Sequence, residues 1–245
     1  MLSKKKDIWI VISLCVLAFY IIFMIYPLGI LFKNAVIENN GSFTFAYFSK
    51  FLSKNYYFST IFNSFKVSLA ATALTLIIGT PLAYFYNMYK IKGKTFLQII
   101  IILCSMSAPF IGAYSWILLL GRNGLITNTL KNLTGFNVPS IYGFGGILLV
   151  LCMQLYPLVF LYVSGALRNI DNSLLEASEN MGCTGAKRFF KIIIPLCIPT
   201  ILAAALMVFM RAFADFGTPL FIGEGYRTFP VEIYNQFMNE TGSDK

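Results

Sequence analysis

Glu176, Ala177 and Ser178 are followed after three residues by Gly182, and after nine more by Ile192-Ile193-Ile194-Pro195. An acid, small residues and a glycine at these intervals suit docking rather than bond-making. Ser173 and Glu176 stand at capping-box spacing, so Ser173 is the expected N-cap of a short helix over about 173–181. Leu174, Ala177 (or Ser178) and Met181 then share one face at helical spacing. Gly182 can end that helix in a left-handed turn, and Thr184 can cap the next one. A small helix with one apolar face and acidic flanks fits a groove on another protein. It also fits a helix resting on lipid, and both readings stay open on the residues alone.

Other residue sets suggest less chemistry. Arg211 and Asp215 are four apart, which on one helix places them on a common face. Charges inside an apolar span face a bundle interior or a watery cavity, so the pair is either structural or borders a solute path. Gly93-Lys94-Thr95 resembles the end of a phosphate-binding loop, but Met88 stands where the full pattern needs its first glycine. Histidine is absent, which removes the Ser-His-Asp and Cys-His triads and His-ligated zinc. The five cysteines show no C-x-x-C spacing, and four lie in apolar runs as expected for small buried hydrophobes. No catalytic residue, metal ligand or cofactor site is expected.

The elements that must position these residues are apolar helices. Apolar residues make up 58% of the 245-residue chain and charged ones 12%, with a mean hydropathy of +0.73. Soluble domains carry about 25% charged residues, so a membrane protein is expected. Runs long enough to cross a bilayer lie at about 8–32, 65–86, 96–120, 145–167 and 192–216, giving about five spans. The run over 8–32 exceeds a signal-peptide core and no A-x-A site follows, so it reads as a retained anchor. Pro81, Pro109, Pro195 and Pro199 are expected to kink or break their helices. Lys66 lies near the outer end of its span and is expected to snorkel.

Alternate loops set the orientation. Lys4, Lys5, Lys6, Lys90, Lys92, Lys94, Arg168, Lys187, Arg188 and Lys191 fall on one side. Lys33, Lys50, Lys54, Arg122, Lys131, Arg227 and Lys245 fall on the other, over about twice the length. The positive-inside bias makes the N-terminus and the 168–191 loop cytoplasmic. The +9 net charge therefore reflects membrane topology rather than nucleic-acid binding. The expected organisation is an anchor helix over 1–34, an external segment over 35–62, a transmembrane domain over 63–216 and an external tail over 217–245.

The pattern Glu176-Ala177-Ser178, Gly182, Ile192 and Pro195 resembles the EAA loop of ABC-importer permeases, whose form is E-A-A, three residues, G, nine residues, I-x-L-P. Ser178 replaces the second alanine and Ile194 the leucine. The 79–84 run Gly-Thr-Pro-Leu-Ala-Tyr is similar to the first core helix of that fold. Asp215-Phe216-Gly217-Thr218-Pro219, with Ile222-Gly223-Glu224-Gly225-Tyr226, resembles the ferric-iron subgroup and its phosphonate-transporting relatives, often chains of two tandem units. The resemblance implies an all-α polytopic bundle in the bacterial cytoplasmic membrane that does no covalent chemistry. It implies as partners a dimer of ATPase subunits, docked by the 168–191 loop, an external solute-binding protein and a second permease unit. The family fold has a further span after the segment near Gly217, so a fragment or the first half of a tandem permease is expected.

Overall fold

The computed structural model describes residues 2–37, 42–89, 91–106, 108–135 and 140–242. Lys90 therefore lies outside the described residues, and so does the end of the tail from 243. The fold is all-α: among the described residues the only extended pairing is an isolated antiparallel bridge between Ile37 and Phe43. The chain divides into two compact units, Met1–Phe58 and Ser59–Lys245.

The first unit holds α1 (Leu2–Tyr20), a π-helical turn (Ile21–Ile25), α2 (Tyr26–Val36) and α3 (Ala46–Ser53). The apolar stretch Ile8–Val36 has a mean hydropathy of 2.9. Phe51 stacks on Tyr57 at 4.9 Å, and Lys54 Nζ sits 5.6 Å from the same ring. This is the interfacial aromatic chemistry expected next to a span.

The second unit contains most of α4 (Asn55–Met88), then α5 (Lys94–Ser105), α6 (Pro109–Leu120), α7 (Leu125–Thr134) and α8 (Phe144–Arg168). After these come α9 (Asn172–Asn180), α10 (Gly185–Arg188), a second π-helical turn (Phe189–Ile193), α11 (Ile194–Phe213), α12 (Gly217–Ile222) and α13 (Phe229–Gly242). At 1.5 Å per residue α4 is about 51 Å long and overshoots a hydrocarbon core of about 30 Å. It begins at Asn55, so the expected 35–62 external segment gives up its last two turns to this helix.

Helix α8 is the central post. Over half of its most apolar stretch (56%) is buried, against 28% for α4 and 22% for the α10–α11 rod. Its core face carries Ile147, Val150, Leu151, Val159, Phe160 and Val163. Helix α4 meets it with small residues: a Cβ on Gly79 would lie 2.7 Å from Val159 Cβ. Small residues let membrane helices approach where no hydrophobic drive separates protein from lipid. The same face of α4 buries a hydroxyl ladder. Ser68 donates to the Ser64 carbonyl and Thr72 to the Ser68 carbonyl, both at 2.7 Å, so these polar groups are satisfied within the helix.

Among the described residues four helices are long and apolar enough to cross a membrane, and a fifth span arises there as a bent pair. That pair is the expected span over about 96–120, with its break at Pro109. Helix α5 stops at Ser105, Pro109 opens α6, and the chain turns by 104° between them. Proline cannot donate to the ladder and crowds the preceding turn, so a sharp break belongs here.

Both π turns end two residues before a proline, at Pro27 and at Pro195. In the second, the Ile194 N–H reaches the Phe189 carbonyl, five residues back. Pro195 has no N–H to offer and its ring would crowd a regular α ladder, so the wider turn absorbs the mismatch. Cys152, Cys183 and Cys197 are buried as expected, whereas Cys15 and Cys104 lie on exposed helix faces.

Candidate functional site

Helix α9 begins at Asn172 rather than Ser173. Its N-cap is Asp171, whose carboxylate accepts from the Ser173 N–H at 3.0 Å. The expected Ser173 cap is thus displaced. An ionised acceptor two residues earlier outcompetes a neutral hydroxyl and also favours the positive helix end. Exchanging Asp171 for alanine is expected to cost α9 about 1 kcal/mol, read as faster amide exchange confined to 172–181.

The expected apolar stripe divides in two. Leu174, Ala177 and Met181 face outward, with Met181 77% exposed. Leu175 packs on the core, and Ser178 is 1% exposed. Ser178 occupies the second alanine position of the motif, and its hydroxyl donates to the Leu175 carbonyl at 2.7 Å. A serine fits there because it adds one atom and satisfies its own polarity. Glu176 is exposed and makes no ion pair among the described residues.

Gly182 ends the helix with φ +73°, the left-handed turn expected of it. Thr184 stands at the cap position of α10 but makes no side-chain cap bond. Gly185 also has a positive φ, +57°. Two such residues flank Cys183-Thr184, so a glycine-hinged link joins α9 to the α10–α11 rod. Glu179 and Arg188 form an ion pair across that link. Ile192 lies in the π turn and Pro195 in the first turn of α11. Together Asp171–Pro195 present an outward apolar helix, an exposed acid and a helical rod leading into the bundle.

Arg211 and Asp215 do not share a helix face. Helix α11 ends at Phe213, Arg211 is exposed in its last turn, and no ion pair joins the two. Asp215 instead accepts from the Thr218 N–H at 3.1 Å and so caps α12. Helix α12 is buried at Gly217, Thr218, Pro219 and Ile222.

The 217–245 stretch, expected as a mixed external tail, is folded onto the bundle over its described part. Asn63 Nδ2 donates to the Arg227 carbonyl at 3.1 Å, and the Phe229 N–H to Ser64 Oγ at 2.8 Å. The Gly143 N–H donates to the Ile222 carbonyl at 2.8 Å. Arg122 pairs with Glu224 and lies 5.3 Å from the Tyr142 ring. Elsewhere, Lys66 is exposed, and its Nζ lies 5.1 Å from the Phe144 ring. Lys94 of the phosphate-loop-like triplet lies 4.5 Å from the Tyr86 ring.

Residues 75–243 match the family model described as "Binding-protein-dependent transport system inner membrane component". The chain belongs to this family. It is a family of transport permeases, not of enzymes, and its members are multi-pass proteins of the inner membrane. The permease is 28% identical over 239 residues to a putative ferric transport system permease protein of Haemophilus influenzae (95% of this chain, 38% of the relative). It is 24% identical over 244 residues to a putative 2-aminoethylphosphonate transport system permease protein of Salmonella typhimurium (98% and 84%). A spermidine/putrescine transport system permease protein of Haemophilus influenzae also matches, at 26% over 210 residues (82% and 73%). The chain spans 38% and 34% of the length of two ferric transport relatives. The fold is similar to a chain in the crystal structure of a bacterial ABC transporter involved in import of the acidic polysaccharide alginate. That match has a TM-score of 0.77 at 19% identity, covering 97% of this chain and 86% of that one.

Glu179 and Arg188 are nine apart across a glycine turn, a separation that no helical periodicity marks.

Proposed function

We propose that this permease is the membrane-spanning subunit of an ATP-binding-cassette importer whose solute is ferric iron. Helix α9 carries the reading: an outward Leu174-Ala177-Met181 face on a helix joined to a span by the helical α10–α11 rod. In this reading Glu176, Ala177, Ser178, Gly182, Ile192 and Pro195 form an EAA coupling element. A dimer of ATPase subunits receives α9 at the cytoplasmic face, where the basic loops and the N-terminus also lie. ATP binding favours one of two bundle arrangements, and its differential affinity for them drives alternating access. An external binding protein delivers the solute, as in the alginate transporter solved with a bound periplasmic protein. A second permease unit completes the passage.

The ferric likeness of Asp215–Pro219 and the ferric transport relatives support the choice of solute. Phosphonate and polyamine permeases share the same architecture and are the competing outcomes. Arg211 and Asp215 border the path at its outer end, Arg211 through its exposed guanidinium and Asp215 through the α12 helix that it caps.

The test is gentle purification from native membranes, followed by uptake of radiolabelled ferric iron, 2-aminoethylphosphonate and spermidine into vesicles holding the retained complex. Co-purification of an ABC ATPase with iron uptake is the expected result. Uptake of another solute overturns the substrate, and absence of any ATPase overturns the importer. Arg211→Gln is expected to lower uptake about tenfold by removing a charge along the path. Asp215→Asn keeps a capping oxygen and is expected to leave the fold intact while changing uptake. Unchanged uptake in both variants overturns the path assignment.

A further inference from the structure

Helix α9 is joined to the α10–α11 rod by a link with positive-φ glycines at Gly182 and Gly185. Such a link swivels, because glycine crosses between left- and right-handed backbone at little cost. A push on α9 would be absorbed there unless something stiffens it. Two backbone bonds close the turn, from the Gly182 N–H to the Glu179 carbonyl and from the Cys183 N–H to the Ser178 carbonyl, both at 2.9 Å. Neither crosses to α10. The side-chain bond that does is the ion pair between Glu179 and Arg188.

Arg188 also looks the other way. Its side chain is only 15% exposed and lies within electrostatic reach of the Tyr84 hydroxyl on α4. The next residue, Phe189, packs its ring on that of Tyr84 at 4.7 Å. Arg188 therefore touches the docking helix and the first long helix of the bundle at once, and the π turn follows it directly.

Two atoms in this contact are unsatisfied. The Tyr84 hydroxyl and the Arg188 Nε are both buried without a hydrogen bond of good geometry. Buried polar atoms almost always find partners, so two orphans on contacting residues call for a physical account. A small rotation of the rod about the π turn would bring donor and acceptor into line. Short π turns recur at functional sites.

From this geometry we infer that Glu179, Arg188 and Tyr84 form a two-position clamp that transmits displacement of α9 to α4, with Arg188 as its pivot. The inference rests on the coupling role proposed above for α9. All three are positioning residues and none needs to touch the solute. In one position Arg188 holds Glu179 and leaves Tyr84 unbonded. In the other, the guanidinium turns onto the phenol as the rod moves.

The experiment compares wild-type and variant transporters, each complete with ATPase and binding protein, in proteoliposomes. It measures retained ATPase subunit, ATP hydrolysis and solute transported per ATP. Arg188→Glu is expected to keep the ATPase subunit bound while transport per ATP falls about tenfold, within the usual span of site-to-site coupling. The double exchange Glu179→Arg with Arg188→Glu is expected to recover at least half of that loss, since it rebuilds the ion pair. Tyr84→Phe removes only an unbonded oxygen, so it folds normally. It is expected to lower transport per ATP about threefold by erasing the second position. If these variants lower hydrolysis and transport in parallel, the residues are merely structural and the clamp is overturned. A wild-type ratio in Tyr84→Phe and no recovery in the swap also overturn it. Wild-type membranes that retain no ATPase subunit overturn the coupling role itself, a failure visible before any variant is made.

Discussion

On the coupling role proposed for α9, replacing Met181 by aspartate is expected to abolish retention of the ATPase subunit and to leave the permease folded. Met181 and Leu174 are the large apolar groups that α9 turns outward. Burying such a side chain in a partner's cleft contributes about 1.5–3 kcal/mol. A carboxylate at the same position loses that term and adds the cost of removing a charge from water, several kcal/mol where no partner cation waits. A combined loss of about 4 kcal/mol lowers affinity by about a thousandfold. The fold does not depend on this side chain, because its neighbours on the inner face, Leu175 and Ser178, are the ones that meet the core. Ser178→Asp is the contrast: a charge forced into a site 1% exposed is expected to unfold the loop, with loss of yield. Pull-down of the ATPase subunit with wild-type and Met181→Asp permease, each with a thermal melt, checks the prediction. Wild-type retention in the variant, at an unchanged melting temperature, means that α9 rests on lipid and that the docking face lies elsewhere.

The same helix shows how far a linear pattern carries. Spans were readable because a bilayer imposes a length, and about 20 apolar residues announce themselves whatever they pack against. Gly182 was readable because its turn is local and favours a residue without a Cβ. The Asp171 cap was not, since Asp171 and Ser173 compete for one helix start and spacing alone does not rank a carboxylate above a hydroxyl. The 104° turn after Ser105 was half readable: Pro109 announces a break, but the angle depends on what the two arms pack against. The 217–242 segment misled because its mixed polarity is matched by partners more than 160 residues away, as in the Asn63–Arg227 and Ser64–Phe229 bonds. Helix periodicity shows which face of a helix is apolar. It carries no information on which distant backbone group will satisfy a polar tail. The Arg211–Asp215 pair failed for a related reason: four-residue spacing has meaning only while the helix lasts, and α11 stops at Phe213.

Replacing Gly79 by leucine is expected to prevent α4 and α8 from meeting, and no monodisperse permease is recovered. A Cβ at this position would lie 2.7 Å from Val159 Cβ, 2.8 Å from Val159 Cγ1 and 3.1 Å from the Tyr156 carbonyl oxygen. Two of these are stiff β-branched carbons and the third is backbone, so none yields cheaply. A single inserted carbon in a close-packed contact costs about 1–3 kcal/mol, and leucine inserts four. What is lost is larger than the local clash. Below this crossing Tyr86 and Phe160 meet edge to face at 5.2 Å, and Asn87 Nδ2 donates to Ser164 Oγ at 2.9 Å. Separating the helices breaks both and leaves the Ser164 hydroxyl without Asn87, which keeps only its bond to the Ala83 carbonyl at 2.8 Å. Gly79→Ala is the graded version, expected to lower the melting temperature by several degrees while the protein still folds. Adding Val159→Ala to that variant removes Cγ1, one of the two side-chain carbons the new Cβ strikes, and is expected to return part of the loss, because the pair is in direct contact and therefore non-additive. Size-exclusion profiles and melts of the two single variants and the double variant decide the matter. If the second substitution instead deepens the loss by the full cost of its own cavity, the close approach of α4 to α8 is not what holds this crossing together.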